Sequence, residues 1–229
     1  MSQKNENPEF WEKAFSEKQE MWWWKASDST LRTVELFRTH GLHDILIPGF
    51  GYGRNAKIFH DSGFAVTGIE ISETAIDIAK KHFRESIKIY HGSVSSMPFD
   101  QKLYDGIFSY SLIHLLNADE RKKLIDDCYD QLKPGGYMVF VSISKSDFRY
   151  GKGEEVSKDT FAPWPNMTLF FYKRATIESD FSNYGLIEAF EISEPVEDVS
   201  DKPAQKFWYI VCKKISKLWN QESQSSHSA

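Results

Sequence analysis

The stretch ILIPGFGYGRNA, Ile45–Ala56, decides how the chain is organised. Three glycines at alternate positions, Gly49, Gly51 and Gly53, follow directly on a short apolar run. Glycine costs backbone entropy and supplies no side chain to a core, so three together mark a backbone that turns tightly or lets a ligand approach the main chain. The residues after them, RNAKIFHDSG, carry a helical pattern that stops at Gly63. Apolar run, glycine turn and helix make the opening of a strand–loop–helix unit. Pro48, which has no N–H to give to a ladder, belongs at the strand end just before the turn.

Working outward, short apolar runs alternate with helix-period segments from Asp44 on, the pattern of an α/β domain with a parallel sheet. Strands are expected at DILIP, AVTGIE, IKIYH, YDGIFSY and GYMVFVSI. Helices are expected at SETAIDIAKKHF, with Ser72 as N-cap, and at NADERKKLIDDCYDQL, with Asn117 as N-cap. About 28 residues from Ser144 to Phe171 show little periodicity and mix Gly, Pro and aromatics; they read as a long loop, with YGKGEEV as a mobile flap. The helix RATIESDFSNYG and the strands LIEAFEI and KFWYIVCKK close the pattern. No long helix separates these two strands, so they are expected to form an antiparallel pair. Residues 41–214 make up this domain, 1–40 a helical lid segment, and 215–229 a polar tail.

Of the 229 residues, 41% are hydrophobic and 27% charged, which excludes a disordered chain and suits one domain with a full core. The formal charge of −5, with no stripe of Lys and Arg, argues against a nucleic-acid partner. No run approaches the roughly 18–20 apolar residues that cross a bilayer, and MSQKNENPEF has no signal-peptide core. Cys128 and Cys212 sit in apolar segments without metal-ligand spacing and read as reduced core residues. A cytoplasmic protein without metal or membrane partner is expected. Trp22, Trp23 and Trp24 span about 200° of a helix, so they cannot all face one core. Either an aromatic lid or a homodimer contact would use the remainder.

In an open α/β sheet the ligand lies beyond the carboxyl ends of the strands, beside the first strand. The glycine turn is there. Glu70 closes the second strand about twenty residues on, where a carboxylate accepts hydrogen bonds from ribose hydroxyls. The loop and Glu70 together describe a nucleoside pocket, which dinucleotide dehydrogenases and S-adenosylmethionine enzymes share. The spacing is GxGxG rather than GxGxxG.

LIPGFGYGRNA, VTGIEIS, GSVSSMPFD, YDGIFSYSLIHLL and LKPGGYMVFV stand in the order and spacing of the class I S-adenosylmethionine-dependent methyltransferases, which this chain resembles from about Asp44 to Lys213. GYGRNA and SGFAVTGIEIS resemble the tellurite-resistance group, and the Pro-Gly loop resembles the thiol and thiopurine methyltransferases. The resemblance implies a Rossmann-like, doubly wound, mostly parallel seven-stranded sheet with an antiparallel last strand. It implies S-adenosyl-L-methionine as cofactor, S-adenosyl-L-homocysteine as product and a small-molecule acceptor. On the cofactor side it points to Gly49, Gly51, Gly53 and Asn55, to Glu70 on the ribose, to Ile71, Ser93 and Val94 around the adenine, and to Ser109 at the end of the fourth strand. Trp11 and Trp24 are candidate aromatic faces for the sulfonium. The family's usual acids are replaced here by Ile47 and Ser93.

His114 is the candidate catalytic base, with a helix-start histidine satisfied by the backbone as the plainer alternative. Trp23, Tyr110, Tyr150, Phe170 and Tyr172, with His114, are candidates for the acceptor pocket. A cover over the sheet edge is the alternative for the last three. Two other functions fit parts of the pattern: a nicotinamide oxidoreductase, which would want GxGxxG, and a non-catalytic S-adenosylmethionine-binding protein, for which the losses at Ile47 and Ser93 speak.

Overall fold

The computed structural model describes residues 7–20, 24–195 and 203–215. Two helices come first, α1 (Pro8–Lys18) and α2 (Asp28–Thr39). The alternating part follows as β1 (Asp44–Pro48), α3 (Arg54–Asp61), β2 (Ala65–Glu70), α4 (Glu73–Phe83), β3 (Lys88–His91), β4 (Tyr104–Tyr110), α5 (Ala118–Asp130) and β5 (Leu132–Ile143). Three short strands, β6 (Glu154–Ser157), β7 (Thr160–Trp164) and β8 (Met167–Phe170), then precede α6 (Arg174–Phe181), β9 (Leu186–Glu194) and β10 (Gln205–Lys213). The expected caps are in place. Ser72 Oγ accepts from the Ala75 N–H at 3.1 Å, and Asn117 forms a capping box with Glu120.

The main sheet has the order β3-β2-β1-β4-β5-β10-β9. β1 is parallel to β2 on one side and to β4 on the other, so the chain reverses its direction of winding beside β1. That reversal opens a crevice at the carboxyl end of β1, where the glycine turn sits. β10 runs antiparallel to both β5 and β9, as expected of the closing pair. β9 therefore points the same way as β1, which brings Glu194 to the functional edge of the sheet.

Alternation along the strands divides the core. Ile45, Ile47, Phe108, Val139, Val141 and Tyr209 face Val34 and Phe37 of α2, Phe59 of α3 and Phe83 of α4. Leu46, Ile107, Met138, Phe140 and Ile210 face α5 and α6 through Leu124, Ile125, Cys128, Ile177 and Phe181. Both cysteines are buried and unpaired by any disulfide. No helix among the described residues is long and apolar enough to cross a membrane.

Two expectations are corrected. The helical lid over residues 1–40 divides in two. Phe37 of α2 is fully buried and lies on the sheet so closely that a Cβ at Gly106 would come 2.7 Å from its ring. Burying it contributes about 2–3 kcal/mol, so α2 is a core layer and only α1 lies over the glycine turn. The segment after β5 is not a loop: β6, β7 and β8 form an antiparallel three-stranded sheet, and the expected flap supplies β6. Its hairpins turn on Asp159 and Asn166, both in the left-handed region at φ 58° and 62°. β6 is exposed on all four residues, so no alternation betrays it. Trp22, Trp23 and residues 216–229 lie outside the described residues.

Candidate functional site

At the end of β1 the chain folds back at once. The N–H groups of Gly49 and Phe50 both donate to Ile69 O, at 3.0 and 2.9 Å. Gly51 and Gly53 hold φ values of +58° and +90°, which L side chains rarely adopt, and a Cβ at Gly53 would sit 2.3 Å from the Phe83 ring. The loop aromatics pack beneath it rather than toward a ligand: Phe50 lies across Gly68, and Tyr52 is buried against Phe15 and Trp24. Ile47 is likewise buried in the core.

Glu70 fastens this loop. Its Oε2 accepts from the Gly51 N–H at 2.6 Å, and Oε1 accepts from the N–H groups of Ile71 and Ser72, each at 2.9 Å. Burial drives the carboxyl above its ordinary range, and the three backbone donors from Ser72, Gly51 and Ile71 pull against that shift. A carboxylate offers about four acceptor positions. Three are taken, so one position is left where the sequence led us to expect a carboxylate open to both ribose hydroxyls.

Beyond β3, Ser93 caps a single turn of 3-10 helix by accepting the Ser95 N–H at 3.0 Å, and Val94 is buried beneath. The Ile71 carbonyl meets His91 Nε2 at 3.1 Å. Two enclosed hydroxyls on this rim have no hydrogen-bond partner among the described residues: Ser95 Oγ beside the turn and Ser109 Oγ near the end of β4. Orphaned buried hydroxyls at the two ends of the crevice suit a polar ligand laid across the carboxyl ends of β3, β2, β1 and β4. An adenosyl amino acid has that polarity, and the donors and acceptors present fit it.

The N-terminal segment joins the crevice through polar contacts. Glu12 of α1 accepts from Ser72 Oγ at 2.7 Å and from the hydroxyl and N–H of Thr74. The Thr74 and Ser72 hydroxyls hold the Glu12 carboxyl below its usual range, and the acid lies at the positive end of α4. Trp11 packs with Phe15 over Tyr52, Ala75 and Ile78. Trp24 packs at a tilt of 48° against His82, with ring centroids 3.9 Å apart, and its buried Nε1 has no hydrogen-bond partner among the described residues. Asn55 ties the segment to α3 by accepting the Ser27 N–H at 3.1 Å. Trp23 lies outside the described residues.

On the other side of the crevice, Tyr110 closes β4. Its hydroxyl donates to Glu194 Oε2 at 2.6 Å, and Glu194 Oε1 accepts the Ser29 N–H at the start of α2, also at 2.6 Å. The Arg54 guanidinium stands 5.6 Å above the Tyr110 ring. Burial, then the Glu194 charge, push the phenol above its ordinary range.

His114 is buried and its Nδ1 accepts the Ile143 N–H at 3.2 Å, which puts the ring proton on Nε2. Burial, aided by the Arg149 charge, holds its pKa down at about 3. A ring whose one lone pair already serves the backbone takes no proton from an acceptor, so the reading of His114 as catalytic base is corrected to a structural one. Tyr172 is also corrected: it is fully buried among Phe170, Phe181 and the α6 side of the core, with its hydroxyl 3.3 Å from Asp180. Tyr150 packs edge-on against Phe161 and Phe171 and donates to Asp159 at 3.0 Å. Phe170 lies under the Arg121 guanidinium and lines a shallow cleft of about 290 Å³ with Lys158, Lys173 and Thr176. These aromatics fasten the small sheet down, and β8 lies against the turn that carries His114.

Sequence reasoning missed Glu194, Arg54, Ser95 and Glu12. Arg54 directly follows Gly53 and was legible; the rest reach the crevice only through strand direction and helix packing.

A family described as a methyltransferase domain matches residues 46–140, which include the glycine loop, Glu70, Ser93, Ser109 and His114. Ubiquinone biosynthesis O-methyltransferase of Coxiella burnetii is 27% identical over 105 residues, 44% of this chain and 44% of that protein. The match thus spans less than half the length of that relative. Thiocyanate methyltransferase 1 of Arabidopsis thaliana is 28% identical over 157 residues, 66% of this chain and 68% of its own. Among solved structures, 1,6-didemethyltoxoflavin-N1-methyltransferase of Burkholderia thailandensis, bound to 1,6-didemethyltoxoflavin and S-adenosylhomocysteine, matches with a TM-score of 0.70. The identity is 15%, over 91% of this chain and 87% of that one, a likeness of fold.

Proposed function

We propose that the chain is a class I S-adenosylmethionine-dependent methyltransferase that methylates a small-molecule acceptor, a thiol or another small nucleophile that needs no base. The observation that carries this reading is the glycine loop held to Glu70 at the switch point, between the orphaned hydroxyls of Ser95 and Ser109. When bound, the cofactor supplies an electrophilic methyl group on a sulfonium.

The chain's residues bind and align. The backbone of Gly49, Gly51 and Gly53 lies against the methionine part, the last acceptor position of Glu70 takes a ribose hydroxyl, and the turn at Ser93 and Val94 borders the adenine. Asn55, Trp11 and Trp24 keep α1 and the segment after it on the loop, while β8 and the turn after β4 cover the acceptor end and exclude water. In-line displacement draws much of its acceleration from such alignment. The acceptor class follows from the bases: His114 is neutral with its lone pair taken, and the Tyr110 phenol is raised. An acceptor already anionic near neutral pH, such as a thiolate, suits a site so furnished. The resemblance over 66% of the chain to thiocyanate methyltransferase 1 agrees with a soft sulfur nucleophile.

Calorimetric titration with S-adenosylmethionine and S-adenosylhomocysteine, followed by S-adenosylhomocysteine release against a panel of thiols, catechols and amines, tests the reading. Micromolar binding and release with thiols is the expected result. A folded protein that binds neither ligand, or that turns over only hydroxyl acceptors, overturns it.

A further inference from the structure

The geometry points to a clamp for a zwitterion: Glu194 and Arg54, set on either side of Tyr110, take the ammonium and the carboxylate of the cofactor's amino-acid end. This rests on the reading of the crevice as an S-adenosylmethionine site and assigns residues to the part of the ligand for which Ile47 offers no charge.

Glu194 is a buried carboxylate, and among the described residues it forms no ion pair. Its two oxygens meet only neutral donors, the Ser29 N–H and the Tyr110 O–H. Two buried aspartates of this end are neutralised directly, Asp147 by Arg149 and Asp159 by Lys145 and Lys173, whereas Glu70 is held by three backbone N–H groups and Glu194 by only one. A buried carboxylate without a cation is costly, and an incoming ammonium offsets that cost. Arg54 shows the opposite half of the same pattern. It opens α3 immediately after Gly53, forms no ion pair among the described residues, meets the Lys25 carbonyl at 3.4 Å, and stands over Tyr110, whose phenol its charge and a hydrogen bond pull down against burial and the Glu194 charge. One tyrosine at the end of β4 thus separates a carboxylate from a guanidinium at the exit of the glycine loop. An α-amino acid presents the complementary pair of charges. Glu70 cannot serve the ammonium, since it is committed to the loop and the ribose end.

The test is calorimetric and independent of turnover. S-adenosylhomocysteine carries the zwitterion, decarboxylated S-adenosylhomocysteine keeps only the amine, and 5′-methylthioadenosine keeps only the nucleoside and the thioether. Glu194→Gln is expected to weaken S-adenosylhomocysteine about 30-fold or more while leaving 5′-methylthioadenosine within about twofold. Arg54→Gln, at the more open position, is expected to weaken S-adenosylhomocysteine but not the decarboxylated ligand. If either substitution weakens all three ligands equally, its residue only holds the fold and the clamp is wrong. Unchanged binding of S-adenosylhomocysteine in both variants overturns it as well. Failure of the unsubstituted protein to bind even 5′-methylthioadenosine overturns the cofactor reading itself, a different result.

Discussion

Replacing Glu70 by glutamine tests the link between the two strands that make the crevice. The carboxylate joins three N–H groups: Gly51 on one oxygen, Ile71 and Ser72 on the other. Glutamine keeps one acceptor oxygen and turns the other into an amide donor. With its oxygen on Ile71 and Ser72, the amide confronts the Gly51 N–H across a contact of 2.6 Å in the wild type. With the oxygen on Gly51, it confronts two donors. Either way at least one charge-assisted bond is lost, about 1.5–3 kcal/mol. Relief from burying a charge, the effect that raises the Glu70 carboxyl, offsets part of this. The net expected loss is about 1–2 kcal/mol, a fall in Tm of roughly 2–8 °C for a chain of this size. Urea denaturation followed by tryptophan fluorescence measures the global effect, and hydrogen exchange at the Gly51 amide measures the local one. S-adenosylhomocysteine affinity is expected to drop with them. An unchanged urea midpoint together with an unchanged Gly51 exchange rate would refute the claim that Glu70 fastens the loop.

His114→Leu is expected to orphan the Ile143 N–H and cost about 1–3 kcal/mol, while turnover by the folded fraction persists; full stability with turnover abolished would restore a catalytic role. In the glycine loop, Gly51→Ala meets only left-handed strain, about 1–2 kcal/mol, because its nearest neighbour is Phe15 at 3.9 Å. Gly53→Ala adds a collision with Phe83, so denaturation is expected to rank it clearly below Gly51→Ala, and equal midpoints would count against the packing described. Burial raises the Asp159 carboxyl, but hydrogen bonds from Lys145, Lys173 and Tyr150 outweigh it and hold it at about 2. A depressed acid contributes stability above its unfolded pKa near 4 and loses it as pH falls toward about 2. Acid unfolding of the wild type is therefore expected to include a component in that window that Asp159→Asn lacks, read by fluorescence of the nearby Trp164; superposable acid profiles would contradict it.

The sequence by itself determined the architecture of the main sheet. Its central strands are buried on both faces and read as apolar runs, Ser72 and Asn117 announce their helices by local capping chemistry, and Gly49, Gly51 and Gly53 stand at turns whose backbone angles favour glycine. All of these are local signals, each settled within a few residues. Glu70 was legible as the acid that closes the second strand for the same reason, since that place follows from the period of the pattern. The small sheet was missed because β6 is exposed throughout and gives no alternation, although Asp159 and Asn166 carried the turn chemistry for its hairpins. Only the tertiary structure decided what the polar groups do. It gave Glu70 to the Gly51 amide, turned the His114 lone pair to Ile143, and sank Tyr172 beneath α6. It also carried Glu194 to Tyr110, 84 residues away in the chain. Hydrogen bonds and charge pairs act over a few ångströms without regard to sequence separation, so their partners are fixed only when strand order and direction have brought distant residues to one edge of the sheet.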